Sequence, residues 1–311
     1  MILNGLFGGA AVVAEGTYGA DPATGYAWVH CIPGTSPTPR KERMERESLG
    51  FVPEASPPFK TILVEGELKM HLNMSDAIVG VILRACGIRS GSAAPFLYTI
   101  DGTTAGHPPT TNSLSLLLDY GLSVVTPTHL QYVVTGAKPT KLVFEFVAEK
   151  RPTLTVSYIG RGFANKGSPA TISTPADSLI SVPADFPQVQ LAAGAFSFKT
   201  LTITVDLPKS GPEQNRFGGT TLVEPVSNGP ISVSAALGMD FGNDTGHDSL
   251  TELQDWLGSG TFGTLTVGTV AQIRFQLASA WVLGDWPVIT GGLTPATLNI
   301  ASQQLLINCV A

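Results

Sequence analysis

Charge is scarce in this chain. Only 14% of its 311 residues are Asp, Glu, Lys or Arg, with 18 basic against 24 acidic side chains and a net charge of −6. A protein that grips nucleic acid through its phosphates ordinarily carries a basic face, so the composition argues against a dedicated nucleic-acid-binding module. Cysteine is nearly absent. Cys31, Cys86 and Cys309 are an odd number without metal-type spacing, and they read as free buried thiols in a reducing compartment. The five histidines, His30, His71, His107, His129 and His247, include no HxH or HxxxH pair, so no metal site is expected. No stretch reaches the roughly 18 apolar residues of a membrane helix, although mean hydropathy is high at +0.21. No Lys or Arg precedes Arg40. The segment MILNGLFGGAAVVAEGTYG therefore lacks the basic start of a signal peptide and reads as an apolar arm.

Catalytic signatures are missing too. There is no G-x-S-x-G elbow, no P-loop, and no G-x-G-x-x-G after a strand. GRGFANKG (160–167) is glycine-rich and basic but leads into Ser/Pro-rich sequence instead of a helix, so the dipole that would hold a phosphate is lacking. DFGNDTGHD (240–248) lacks the distal glutamate of a calcium loop and reads as a polar turn. No cofactor, metal site or enzymatic activity is expected.

Glycine (34) and proline (23) are abundant. With low charge, this is the punctuation of an all-β protein with many turns. One pattern occurs twice. Residues 62–87 (ILVEGELKMHLNMSDAIVGVILRACG) and 231–260 (ISVSAALGMDFGNDTGHDSLTELQDWLGSG) each run from an alternating strand through an Asn/Asp turn into a short amphipathic helix ending at glycine. Leu68, Met70 and Leu72 align with Leu237, Met239 and Phe241, and Gly87 aligns with Gly258 after two inserted residues. Such self-similarity predicts a duplicated β-rich unit, divided here as residues 1–165 and 166–311.

In the first copy, Ser75 or Asp76 caps a helix, and Ala77, Ile78, Val81, Ile82 and Ala85 form its apolar stripe. Gly87 is expected as a left-handed C′ residue. In the second copy a helix is expected over about 248–257. Residues 14–58 hold six prolines from Pro33 to Pro58 and read as a long irregular loop of the kind that reaches a partner. The run PRKERMERE (39–47) alternates in sign and reads as a solvated or interface loop, with Arg40, Lys41, Arg43, Arg46 and Glu47 as candidate assembly residues. KLVFEFVAEKRPTLTVSY reads as a hairpin whose first strand is apolar, and so covered, on both faces. Residues 160–176 read as the loop between repeats.

The order of motifs carries a resemblance. AEGTYGADPATGYAWVHCIPG (14–34) precedes VEGELKMHL (64–72) and a helix ending in CG (86–87). Next come VVTGAKPTKLVFEF (133–146), FKTLTITVDL (198–207), GPISVSAALGMDF (229–241) and WPVITGGL (286–293). Over nearly its whole length the chain resembles the major tail tube proteins of long-tailed bacteriophages, of the larger duplicated kind. The resemblance implies a mainly β fold of two tube-type sandwich or barrel repeats, each flanked by one short helix, with long assembly loops. It implies stacked rings of three pseudo-hexameric or six chains in a virion tail, made in the bacterial cytoplasm. It also implies tape measure, tail terminator and distal tail proteins as partners, no membrane insertion, and DNA that passes without specific binding. Two other readings stay open. One is an inner tube or tail-end ring of a contractile phage-like device. The other is a β-sandwich carbohydrate-binding or hydrolytic module, for which Trp281 and Trp286 would supply sugar-stacking rings.

Overall fold

The structure is a computed structural model of the chain. It describes residues 9–43, 59–73, 75–92, 94–101, 112–122, 129–166, 170–173, 189–191, 194–196, 199–209, 224, 229–241, 243–244, 247–248, 264–269, 273–278, 280–283 and 294–309. The protein is mainly β, as its composition implies. In chain order the strands before the first helix are β1 (Gly9–Ala14), β2 (Tyr26–Val29), β3 (Ser36–Arg43) and β4 (Phe59–His71). After it come β5 (Ile88–Ser90), β6 (Phe96–Asp101), β7 (Leu114–Leu122), β8 (His129–Val147), β9 (Thr153–Gly160), β10 (Gly162–Asn165) and β11 (Ile172–Ser173). Then follow β12 (Val189–Leu191), β13 (Gly194–Phe196), β14 (Thr200–Asp206), β15 (Ser232–Phe241), β16 (Asn243–Asp244) and β17 (His247–Asp248). The last are β18 (Leu265–Thr269), β19 (Ile273–Ala278), β20 (Trp281–Leu283), β21 (Thr294–Ser302) and β22 (Gln304–Cys309).

One sheet has thirteen strands and forks at β8. Along one edge of β8, its first half pairs with β7 and its second half with β14. Its other edge carries β9 and β10 end to end. From this hub one arm runs β7-β1-β2-β11 and the other β14-β15-β21-β20, while β9 leads to β4 and β3. The second sheet has seven strands in the order β13-β12-β18-β19-β22-β6-β5. Both sheets therefore draw strands from either side of residue 165.

Alternation explains why these segments pair as they do. Along β14 the residues Leu201, Ile203 and Val205 are fully buried, whereas the intervening threonines are half-buried and Asp206 is exposed. Inward side chains from both sheets share one core, and Phe275 of the smaller sheet meets Phe144 and Phe146 edge-on at centroid distances of 5.0 and 5.4 Å. Each fully buried phenylalanine contributes about 1.5–3 kcal/mol of burial, so this trio is a principal bond between the layers.

The helix after β4 begins as a π-helical turn, Asp76–Gly80, and continues as α1, Val81–Arg84. Ser75 caps it, its Oγ accepting from the Ala77 N–H at 3.2 Å. Of the expected stripe, Ile78, Val81, Ile82 and Ala85 are buried but Ala77 is exposed, and Val79 and Leu83 are fully buried as well, so the helix is covered nearly all round instead of along one stripe. Gly87 differs from expectation, because its φ is not left-handed. A Cβ there would strike the carbonyl oxygen of Thr99 on β6, so close sheet approach requires the glycine. The expected second helix lies outside the described residues beyond Asp248, and before it β16 and β17 pair as a small hairpin.

Other expectations need correction. The apolar arm is in part a core strand, since β1 sits between β2 and β7 with Ala11 and Val12 fully buried. The segment 14–58 is not one irregular loop, because it contains β2 and β3. The segment 160–176, expected as a loop, contributes β10 and β11. Within the chain β8 is covered on one face only over residues 141–147. Leu142, Phe144 and Phe146 are buried, but Val143 and Val147 are half-buried and Glu145 is exposed.

A buried carboxylate fixes the bend in β8. Glu15 Oε1 accepts from Ser115 Oγ at 2.6 Å and from the Gly136 N–H at 2.7 Å. Its Oε2 accepts from Ser113 Oγ at 2.5 Å and from the Gly19 N–H at 2.8 Å. Gly136 has φ 65°, and a Cβ there would meet Arg161 Cβ at 2.8 Å and the Tyr18 ring at 3.0 Å. One side chain thus ties β1, β7 and β8 together. Glu15→Gln leaves a donor facing donors, and a mispaired buried polar group costs about 1–3 kcal/mol. The expected result is a lower denaturant midpoint with an unchanged circular dichroism spectrum, and an unchanged midpoint contradicts the tie.

Candidate assembly surface

Outward residues of six strands of the larger sheet form a broad, mostly polar face. Cross-strand register places them in rows. Lys69, Thr155, Val143, Thr204, Ser234 and Ala301 form one row, and His71, Thr153, Glu145, Thr202, Ala236 and Asn299 form the next. On either side lie Glu67, Ser157, Lys141, Asp206 and Ser232, and Val147, Thr200, Gly238 and Thr297. Six strands at about 4.8 Å spacing make a face roughly 24 Å wide. β-Branched threonine suits a strand that is half-covered, and its hydroxyl leaves the face wettable without charge.

The few charges on this face nearly cancel. Lys69 Nζ lies 3.2 Å from Glu67 and Lys141 Nζ lies 3.6 Å from Asp206. Glu145 accepts from Thr153 Oγ1 at 3.1 Å. Burial first, then the nearby charges of Arg151 and His30, hold the His71 imidazole below its usual value, so it is neutral at pH 7. The pattern LTITVDL already signalled this face by its alternation. What sequence reading missed was that it joins equally small residues on β9, β15 and β21, because registers between distant strands are not local properties.

The basic run is found elsewhere. Arg40, Lys41 and Arg43 lie on β3, opposite Leu63, Ile62 and Phe59 of β4, so the run is strand up to Arg43 and not a loop. Arg46 and Glu47 lie outside the described residues. Among the described residues β3 pairs only with β4. It begins with Pro37 and Pro39 at ladder positions, and prolines are tolerated there on an edge strand.

Chemistry-bearing side chains are otherwise engaged in packing. Burial pushes the Cys86 thiol up to about 12 and raises Cys31 and Cys309 as well, so none is a thiolate at neutral pH. No group of three or more potential metal ligands exists among the described residues. Beside the bend, the buried Lys138 ammonium meets Glu224 at 2.5 Å and lies 5.6 Å from the Tyr18 ring. An open groove of about 530 Å³ lies at one end of the polar face, lined by residues including Ser36, Glu65, Glu67, Tyr158 and Lys209. No protein-family model matches the chain, and no curated protein matches it.

The loop after β1 supplies a pH-dependent tie. Burial would raise the Asp21 carboxyl, but hydrogen bonds from Lys166 Nζ (2.6 Å), Tyr26 Oη (2.7 Å) and the Ala23 N–H (2.9 Å) outweigh it and lower its pKa. A depressed folded pKa gives stability that is full above the unfolded value near 3.8 and is lost as pH falls through the folded one. Asp21→Asn is therefore expected to destabilise the protein at pH 7 and to flatten the fall in melting temperature between about pH 4 and pH 2. An unchanged acid limb contradicts this role.

Proposed function

We propose that this protein is a structural subunit that self-assembles into stacked rings forming a hollow tube, the tail tube of a long-tailed bacteriophage through which DNA passes. The observation that carries the reading is the wide, hydroxyl-rich, nearly charge-balanced sheet face, taken with the resemblance in motif order. A channel for DNA must not hold it. Phosphate contacts by Lys and Arg dominate DNA affinity and multiply with each cation presented. A ring repeats every side chain by its subunit number, so one unpaired lysine would become a collar of charge. In this reading the threonine and serine rows line the channel, and the Lys69–Glu67 and Lys141–Asp206 pairs neutralise the few cations. Closing sheets between subunits also removes exposed strand edges that would otherwise aggregate. Because both sheets mix strands from the two halves, the halves complete one another, which favours six chains per ring over three. Tape measure, terminator and distal tail proteins are the expected partners at the lumen and at the ends of the stack.

Negative-stain microscopy of the purified protein tests the reading: rings or tubes with a central channel are expected, and monodisperse monomers that bind glycans contradict it. The charge argument has its own test. Thr204→Lys places a cation in the middle of the face. Assembly is expected to persist while DNA ejection from virions carrying the variant slows at low salt and recovers at high salt. An ejection rate equal to wild type at low salt contradicts the non-stick wall.

A further inference from the structure

Two of the histidines meet across strands. After β2 the chain runs on antiparallel to the end of β4. Cys31 and Met70 are bridge partners there, the His71 N–H donates to the His30 carbonyl at 2.9 Å, and the Ile32 N–H donates to the Lys69 carbonyl at 3.0 Å. This register sets His30 directly opposite His71. Met70 is fully buried and Cys31 packs against the core. Side chains alternate along a strand, so the two histidines project together on the other, outward side, where His30 is exposed and His71 half-buried. Directly opposed residues have Cβ atoms about 4.5–5.5 Å apart. Two nitrogens each about 2.0–2.1 Å from one tetrahedral metal stand roughly 3.3 Å apart, a separation that two imidazoles leaning together reach. The His71 Nδ1 is buried without a partner, which leaves Nε2 as its outward nitrogen. No local spacing signals this pair, because the two residues are far apart in the chain.

We propose that His30 and His71 form a cross-strand chelate for a divalent transition metal of the kind imidazole prefers, such as nickel(II), zinc(II) or copper(II). Two protein nitrogens leave the remaining positions to water, so the site is open and exchangeable, unlike a closed structural centre. The inward-facing Cys31 thiol is not a third ligand. Nearby cations oppose a metal ion. Lys69 lies on the same side, with its charge offset by Glu67 at 3.2 Å, and the Arg151 charge acts on His71 as well. Chelation works against that repulsion, because once one imidazole is bound the other is held nearby at an effective concentration of about a millimolar or more. The bound ion would clamp the continuation of β2 to β4. The site stands on the fold alone and does not use the assembly reading.

The full chain is titrated with nickel(II) chloride by calorimetry and melted with and without it, beside His30→Gln, His71→Gln and the double variant. Each single variant is expected to bind about tenfold or more weakly than wild type, and the double variant little more weakly than either single one, since losing one arm already destroys the chelate. Nickel is expected to raise the melting temperature of the wild type, because it binds the folded chain, and to lose that effect in each single variant. Single variants that bind or respond like wild type overturn the site, as does equal uptake by wild type and double variant, which would assign the metal to other groups. A second measurement needs no variant. Wild-type protein is treated with diethyl pyrocarbonate at rising nickel concentration, and modification is located by peptide mass spectrometry. His30 and His71 are expected to become protected together, at the same metal concentration. Protection of only one of them, or of neither, overturns the chelate.

Discussion

Everything in this fold depends on β8 serving two arms of a sheet at once. A strand of 19 residues is long for a globular protein, and a straight one would carry both arms in a single plane. The register shift between Pro139 and Lys141 and the left-handed Gly136 redirect it at its middle. The first half then pairs with β7 and the second with β14. Glu15 fixes this redirection from outside the strand, joining the Gly136 N–H to the hydroxyls of Ser113, just before β7, and Ser115 within it. A carboxylate accepting from four donors is well suited to such a joint, because any movement of the bend strands at least one buried partner.

The legibility of the fold in the sequence followed the range of the interactions. β14, β15, the β8–β9 hairpin and the presence of the helix were readable, because period-two and helical patterns are local, but the helix is buried on all sides from Ile78 to Leu83 and not along one stripe. The Ser75 cap was readable for the same reason. What failed was non-local. Gly9–Ala14 looked like a free arm because its partner β7 lies about a hundred residues away. The charged run at 39–43 looked like loop because charge and proline discourage a strand, yet at an edge both are tolerated. The candidate surface was half legible. Its alternation was visible strand by strand, but its continuity across β4, β9, β8, β14, β15 and β21 is a property of register.

The face is also where a balance of effects is visible. Its inward side carries leucine, isoleucine, valine and phenylalanine, and burial on that side stabilises the sheet. Its outward side does little for stability in the isolated chain: small hydroxyls, a glycine and two surface ion pairs, each pair contributing at most about 1 kcal/mol. Val143 and Val147 are only half-buried there. The proposal that this face lines a channel rests on its breadth and on its nearly cancelled charges.

The most direct measurement of that claim is the accessibility of Thr204 in the assembled and unassembled states. Thr204→Cys, in a background where the half-buried Cys31 is replaced by serine, provides a single reactive thiol at the centre of the face, since Cys86 and Cys309 are fully buried. The account predicts that a small maleimide reacts with assembled and unassembled protein alike, whereas a maleimide on a large polymer reacts only with the unassembled subunit. Equal labelling of both states by the large reagent would place this face on the outside of the assembly and contradict the account.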